Sequence, residues 1–402
     1  MFENALLLAV ACMVTALLFH PKVRFSRNWR ATVTPLASII GSGFLVAAPL
    51  LSHAVNGWAF FAMAGIVILA YGIGEVIRFN IYHSEPLLKS PQTPPLLLNL
   101  ERISSLTLSI AYVISVAFYL RLLASFLLHS MDLKDGIYAN ILTTVVLLSI
   151  AFIGLWRGLE GLEKLEESAV NIKLAIIAAL LVGLVGYDLN WLSQSENQIN
   201  YTPLADWPHA MRLLAGILLI VQGFETSRYL GDEYDAQTRI RTMRFAQLLT
   251  AAIYLLFIGL SLPLLNGFNE PRNETAIITL SGMISPLLPA MLVIAAVMSQ
   301  FSAAVADTAG SGGLFAEFSR RRFSPRLGYV LVVILAIVLV WSADIFEIIT
   351  IASRAFVAYY LLQCLVALCI SYRRGCWLQS IGFMFIACIL LLVLLFATPN
   401  GA

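Results

Sequence analysis

The chain has 402 residues, 60% of them hydrophobic and only 12% charged, with a mean hydropathy of +0.86. A water-soluble chain carries about a quarter charged residues, so this composition excludes an ordinary soluble domain and belongs in lipid. The formal net charge of +2 gives no ground for nucleic-acid binding, because in a bilayer the position of charge matters more than its sum.

Apolar stretches of about 20 residues, the length that crosses a bilayer, fall at 3–20, 32–52, 57–79, 105–129, 138–156, 167–187, 208–231, 244–266, 287–317, 326–343, 345–370 and 377–397. These predict an all-α polytopic membrane protein of twelve transmembrane helices whose connections are too short for a separate soluble domain. The stretch 3–20 lacks a positive n-region and a small-x-small cleavage site, and its basic cluster follows it; it reads as a retained helix, not a signal peptide. Counted with the flanking span ends, and leaving aside Arg121, Arg212 and Arg354 within spans, lysine and arginine divide twenty to two between alternate sets of loops, with Lys134 and Arg272 alone on the sparse side. By the positive-inside rule both termini are non-cytoplasmic, and segment 32–52 runs from inside to outside. Short termini without a targeting segment fit a bacterial inner membrane.

Two of the spans are interrupted at mid-depth. Segment 32–52 reads Ile40-Gly41-Ser42-Gly43-Phe44 at its middle, and segment 208–231 reads Val221-Gln222-Gly223-Phe224-Glu225. Glycine weakens a helix where lipid most demands one, and unwound backbone survives there only inside protein or beside a polar cavity. Setting aside the first and last spans, the interrupted segments are the first and sixth of ten. Each opens a block of five, and an odd number of spans turns the second block upside down. The expected plan is a 5+5 inverted-repeat core with one extra helix at each end: 1–30 as an extra helix and basic loop, 31–190 and 191–372 as the repeats, and 373–402 as the extra C-terminal helix.

A broken helix offers free N–H groups at one new end and free C=O groups at the other. The first attracts a carboxylate and the second an ammonium, so two such breaks suit a zwitterion such as an amino acid. The expected substrate-binding residues are Ser38, Gly41, Ser42, Gly43, Phe44, Gln222, Gly223, Phe224 and Glu225. Phe44 and Phe224 follow the glycines and either close over a bound side chain or serve as packing. Glu225 is a substrate or proton site, or else a structural partner for Arg121 or Arg354.

A charge inside a span costs about 2.5–3.5 kcal/mol on insertion scales. Lys173 lies roughly two turns inside its span and either snorkels to the headgroups or pairs; Asp307, in a small-residue stretch, needs a partner, of which Lys173 is one possibility. These two are the expected proton-coupling residues. Arg121, Glu347 and Arg354 are a possible polar network, although Glu347 and Arg354 are two turns apart on one helix; Glu75 and Arg78, three apart, read as a local ion pair. The five cysteines (Cys12, Cys364, Cys369, Cys376, Cys388) form no CxxC and have no neighbouring histidines, so no metal, disulfide or cofactor chemistry is expected.

Several of these residues resemble the motifs of the amino acid–polyamine–organocation (APC) superfamily of permeases. Thr34-Pro35-Leu36 through Gly41-Ser42-Gly43 is similar to the family's first-helix signature, and Gly223-Phe224-Glu225 followed by Glu233 is similar to its sixth. Weaker likenesses lie at Tyr71 to Glu75, Tyr112-Val113 through Arg121-Leu122, and Ser302 to Arg320. The resemblance implies a leucine-transporter-like fold in which the Gly-Ser-Gly backbone holds a substrate carboxylate and the sixth-helix backbone its amine. It further implies that Lys173, after Asn171, stands where sodium-coupled relatives bind an ion. The helix before residue 21 is unusual for the family, and the proline that commonly follows the sixth-helix acidic stretch is missing.

The expectation is a secondary active transporter of an amino acid or related small organic solute, coupled to protons and working by alternating access. Alternatives are a sodium-coupled transporter of the same fold, with the ion on Ser299, Ser302 and the carbonyls near Ser38, or a non-transporting receptor or membrane enzyme. The scattered histidines and the lack of a phosphate-binding loop speak against an enzyme.

Overall fold

In the computed structural model every regular element among the described residues is a helix. The structure describes all residues except 1, 42, 89, 92, 134–135, 160–164, 194–198, 200, 202–205, 232, 267–273, 319–323 and 399–402. Ser42 of the first break and Asn273 of the sequon Asn273-Glu274-Thr275 therefore lie outside the described residues. Nine helical stretches among the described residues are long and apolar enough to cross a bilayer, with Arg27–Leu88 taken as one. The predicted stretches 3–20 and 208–231 take shorter forms, a 17-residue helix and a series of short pieces.

The first helix, α1 (Phe2–Leu18), is followed by the single turn α2 (Pro21–Arg24). It lies along α8 (Leu165–Leu192). Gly183 of α8 makes room for it, since a Cβ there would stand 3.3 Å from Leu7 Cδ2. At one end Asn4 Oδ1 accepts from the Ser285 hydroxyl at 2.7 Å; at the other Arg24 pairs with Glu167 at 3.2 Å.

The first interrupted span is α3 (Arg27–Gly41) and α4 (Phe44–Val55), followed by α5 (Ala59–Leu88). At the centre stands α6 (Pro95–Ser130), whose only proline sits at its first turn, where no N–H is lost to the helix ladder. It packs against α12 (Leu288–Phe318) and α14 (Ile345–Arg373) and buries Leu108, Val116, Phe118, Tyr119 and Phe126. By contrast α7 (Gly136–Arg157), α13 (Pro325–Ser342) and α15 (Trp377–Phe396) keep large apolar residues such as Phe152, Val338 and Leu378 exposed, as a lipid-facing surface requires.

The second interrupted span is more broken than its glycine suggests. Helix α9 (Trp207–Gly216) gives way to a 3-10 turn at Leu218–Val221, an irregular step at residues 222–223, and a second 3-10 stretch at Phe224–Leu230. After it come α10 (Ala236–Asn266) and α11 (Ala276–Ile284). No span is predicted over the latter from the sequence; it is too short to cross a bilayer but buries Ile277, Ile278 and Leu280.

Candidate substrate site

The two interruptions meet back to back. Gly223 has φ +118°, a left-handed conformation, and a Cβ on it would fall 2.7 Å from the Cβ of Ser38. Glycine is required there on both counts. Across the same contact a Cβ on Gly43 would stand 2.9 Å from Ile220 Cγ1. The hydroxyl of Tyr254, from α10, lies within hydrogen-bond reach of Ile39 O (3.2 Å) and Ile220 O (2.6 Å), one carbonyl from each broken segment.

The last turn of a helix leaves its carbonyls without partners; two other helices supply them to Ile39 and Gly41 of α3, and a third adds a bond to Ala37, just before that turn. Lys173 Nζ, on α8, donates to Ala37 O at 3.2 Å; Tyr254 reaches Ile39 O; and Gln300 Nε2, on α12, donates to Gly41 O at 3.0 Å. Lys173 also donates to the Ser299 hydroxyl at 2.9 Å, and its Nζ lies 3.9 Å from where a Gly41 Cβ would stand. On the far side of the break, α4 begins at Gly43 with no side-chain cap, so its first-turn N–H groups face the interruption.

At the second break the carboxylate of Glu225 is fully buried. Its Oε2 accepts from the Gly223 N–H at 3.0 Å and from the Tyr360 hydroxyl at 2.7 Å, while Oε1 is buried without a hydrogen bond among the described residues. Gln222 Nε2 donates to the Tyr119 hydroxyl at 3.3 Å. Both phenylalanines sit among aromatic neighbours: Phe224 stacks on Tyr360 with ring centres 5.3 Å apart, and Phe44 packs against Phe257 at 4.4 Å and edge-on to Tyr254 at 5.4 Å.

Asp307 lines a cavity of about 820 Å³ together with Thr34, Tyr112, Thr226 and Tyr229, and its Oδ2 accepts from the Ser115 hydroxyl. Lys173 meets α12 at Ser299, eight residues from Asp307, roughly 12 Å along the helix.

Arg121, Glu347 and Arg354 each make a different hydrogen bond, and Arg121 also feels the charge of Asp344, the residue that Glu347 caps. Arg121 donates to Ser125 at 3.0 Å, Glu347 accepts from the Asp344 N–H at 3.0 Å as half of a capping box, and Arg354 donates to the Ala397 carbonyl. The contacts of Glu225 are Gly223 and Tyr360, not these arginines. Arg78 and Glu75 do form the local ion pair, at 2.9 Å, with Gln247 also accepting from Arg78. Sequence reasoning misses Tyr119, Tyr254, Gln300 and Tyr360. Gln300, a lone amide in an apolar span, carries the one usable signal.

The model of a family described as APC superfamily transporter matches residues 21–397. A relative from Aquifex aeolicus (strain VF5), described as an uncharacterized protein, is 44% identical over 381 residues, covering 94% of this chain and 92% of its own. Crystal structures of two single-residue mutants of the Eremococcus coleocola manganese transporter each superpose with a TM-score of 0.57, covering 92% of this chain and 87% of theirs. At 12% identity that likeness is one of fold.

Proposed function

Because the chain belongs to the APC superfamily of membrane transporters, we propose that it is a secondary active transporter of an amino acid or a closely related zwitterion. It works by alternating access, driven by protons, in a bacterial inner membrane. Its architecture in this reading is twelve spans, with repeats at 31–190 and 191–372 between the flanking segments 1–30 and 373–402, and both termini non-cytoplasmic.

One observation carries the substrate reading: the two breaks touch, Gly43 against Ile220 and Gly223 against Ser38, one of them opening a helix without a side-chain cap and the other carrying a buried carboxylate with an unengaged oxygen. The amides after Gly43 suit a substrate carboxylate, with Gly41 and Ser42 preceding them in the sequence. Glu225 Oε1 and the carbonyls near Gln222 suit its ammonium. Ser38 holds the close approach of the two segments, and Phe44 and Phe224 wall the site.

The choice of ion follows from Lys173. Its ammonium stands on Ala37 O and Ser299 Oγ, oxygens of the same set that a sodium ion would need. A charged lysine competes with sodium for them, and releasing its proton would free both oxygens. Asp307 serves as a second proton site on the cavity. Manganese is the cargo of the structural neighbour, and at 12% identity that likeness is one of fold, so the cargo is not carried over.

A thermal-shift screen of the purified protein with the twenty amino acids and common amines tests the substrate class. Stabilisation by one or more zwitterions is expected. Stabilisation by simple anions alone would overturn the assignment and move attention to Arg121 and Arg354.

A further inference from the structure

The stretch Phe224–Leu230 is a seven-residue 3-10 helix. Runs beyond three or four residues are uncommon in this form and mark hinges. With three residues per turn, positions i and i+3 eclipse, which gives the stretch two distinct faces. Thr226 and Tyr229 share one face and line the 820 Å³ cavity. Glu225 and Arg228 share another, and α14 grips it with its own i, i+3 pair. Tyr360 donates to Glu225 at 2.7 Å, and Gln363 Oε1 accepts from Arg228.

The second rung is the centre of a buried network. Arg228 pairs with Glu101 of α6 at 2.9 Å, with both side chains nearly out of solvent. Gln363 Oε1 also accepts from Asn80 Nδ2 of α5 at 2.8 Å, and Gln363 Nε2 donates to the Ser104 hydroxyl at 2.7 Å. Removing a partner from such a pair leaves an uncompensated buried charge. The network therefore holds one arrangement or breaks to another rather than yielding by degrees.

We propose that Gln363 is a positioning residue that couples the state of Glu225 to the opening of the cavity. Tyr360 and Gln363 move as one turn of α14. A change at Glu225, by substrate or proton, shifts the first rung, loosens the second, and turns the face carrying Thr226 and Tyr229. This rests on Glu225 being part of the substrate site.

The test is a double-substitution cycle on the full chain in proteoliposomes. Gly313 lines the cavity, and a Cβ there meets nothing within 4 Å, so Gly313→Cys is a tolerated reporter. Its alkylation by a membrane-impermeant maleimide is measured above the background of the five native cysteines. Glu225→Gln and Gln363→Leu are each expected to change the labelling rate by roughly three- to tenfold. The double variant should match the larger single effect instead of their product. A double effect equal to the product, or no change in either single variant, would overturn the coupling. If Gln363→Leu yields no folded protein, Ser104→Ala takes its place with the same two outcomes. Labelling needs no substrate, so absent uptake would count against transport and leave the cycle interpretable.

Discussion

Gly223 and Ser38 touch so closely that a methyl group on the glycine would lie 2.7 Å from the serine Cβ. This contact joins the two broken segments, and with Gly43 against Ile220 it fixes which backbone groups face the interruption. Gly223→Ala adds a Cβ both at that overlap and at φ +118°. Its expected cost is about 3 kcal/mol or more, seen as a large fall in apparent melting temperature in detergent. Gly313→Ala, with open space around the new Cβ inside a helix, is expected to leave stability unchanged or raise it by up to about 1 kcal/mol.

Glu225→Gln keeps the shape of the side chain and removes its charge. Binding of whichever zwitterion the thermal-shift screen identifies is expected to weaken about tenfold or more, the scale of a lost charge-assisted hydrogen bond. Titration calorimetry reads this directly.

Asp344 accepts from the N–H groups of Phe346 and Glu347 at 2.8 and 3.0 Å, and Glu347 returns the bond to Asp344. Asp344→Ala should therefore cost about 1 kcal/mol of stability while the affinity for substrate stays that of the parent. A changed affinity would tie this helix start, and Glu347 with it, to the substrate site.

Asp235 lies between spans. Its carboxyl is held below the usual range first by the Thr238 N–H and then by the Thr238 hydroxyl, with Arg27 adding to both. A folded pKa below the unfolded one stabilises above the unfolded value, near 3.9. That stabilisation is lost as pH falls through the folded value. The melting temperature of the parent is thus expected to exceed that of Asp235→Asn at neutral pH, with the gap closing below about pH 4.

The interruptions were legible because they recur in corresponding places of the two blocks, where a single glycine would read equally as a packing kink, and the Glu75–Arg78 pair because residues three apart share a helix face. The length of the second break was not legible: Leu218–Val221 and Phe224–Leu230 contain no glycine or proline, and tertiary contacts hold them as 3-10 turns. Tyr254, Gln300 and Tyr360 come from three distant helices, so nothing local announces that they serve unwound carbonyls and Glu225. The Asp344-x-x-Glu347 spacing is a helix-start signature that a reading by charge overlooks.

Lys173, standing on Ala37 O and Ser299, is expected to couple transport to protons. Uptake by sodium-free proteoliposomes under an inward proton gradient, with the zwitterion identified by thermal shift, tests it most directly. Uptake is expected in the parent, with a fall to about a tenth or less in Lys173→Ala, a loss of about 1.4 kcal/mol or more. Uptake that requires sodium and ignores the proton gradient, or gradient-driven uptake undiminished in Lys173→Ala, would contradict it.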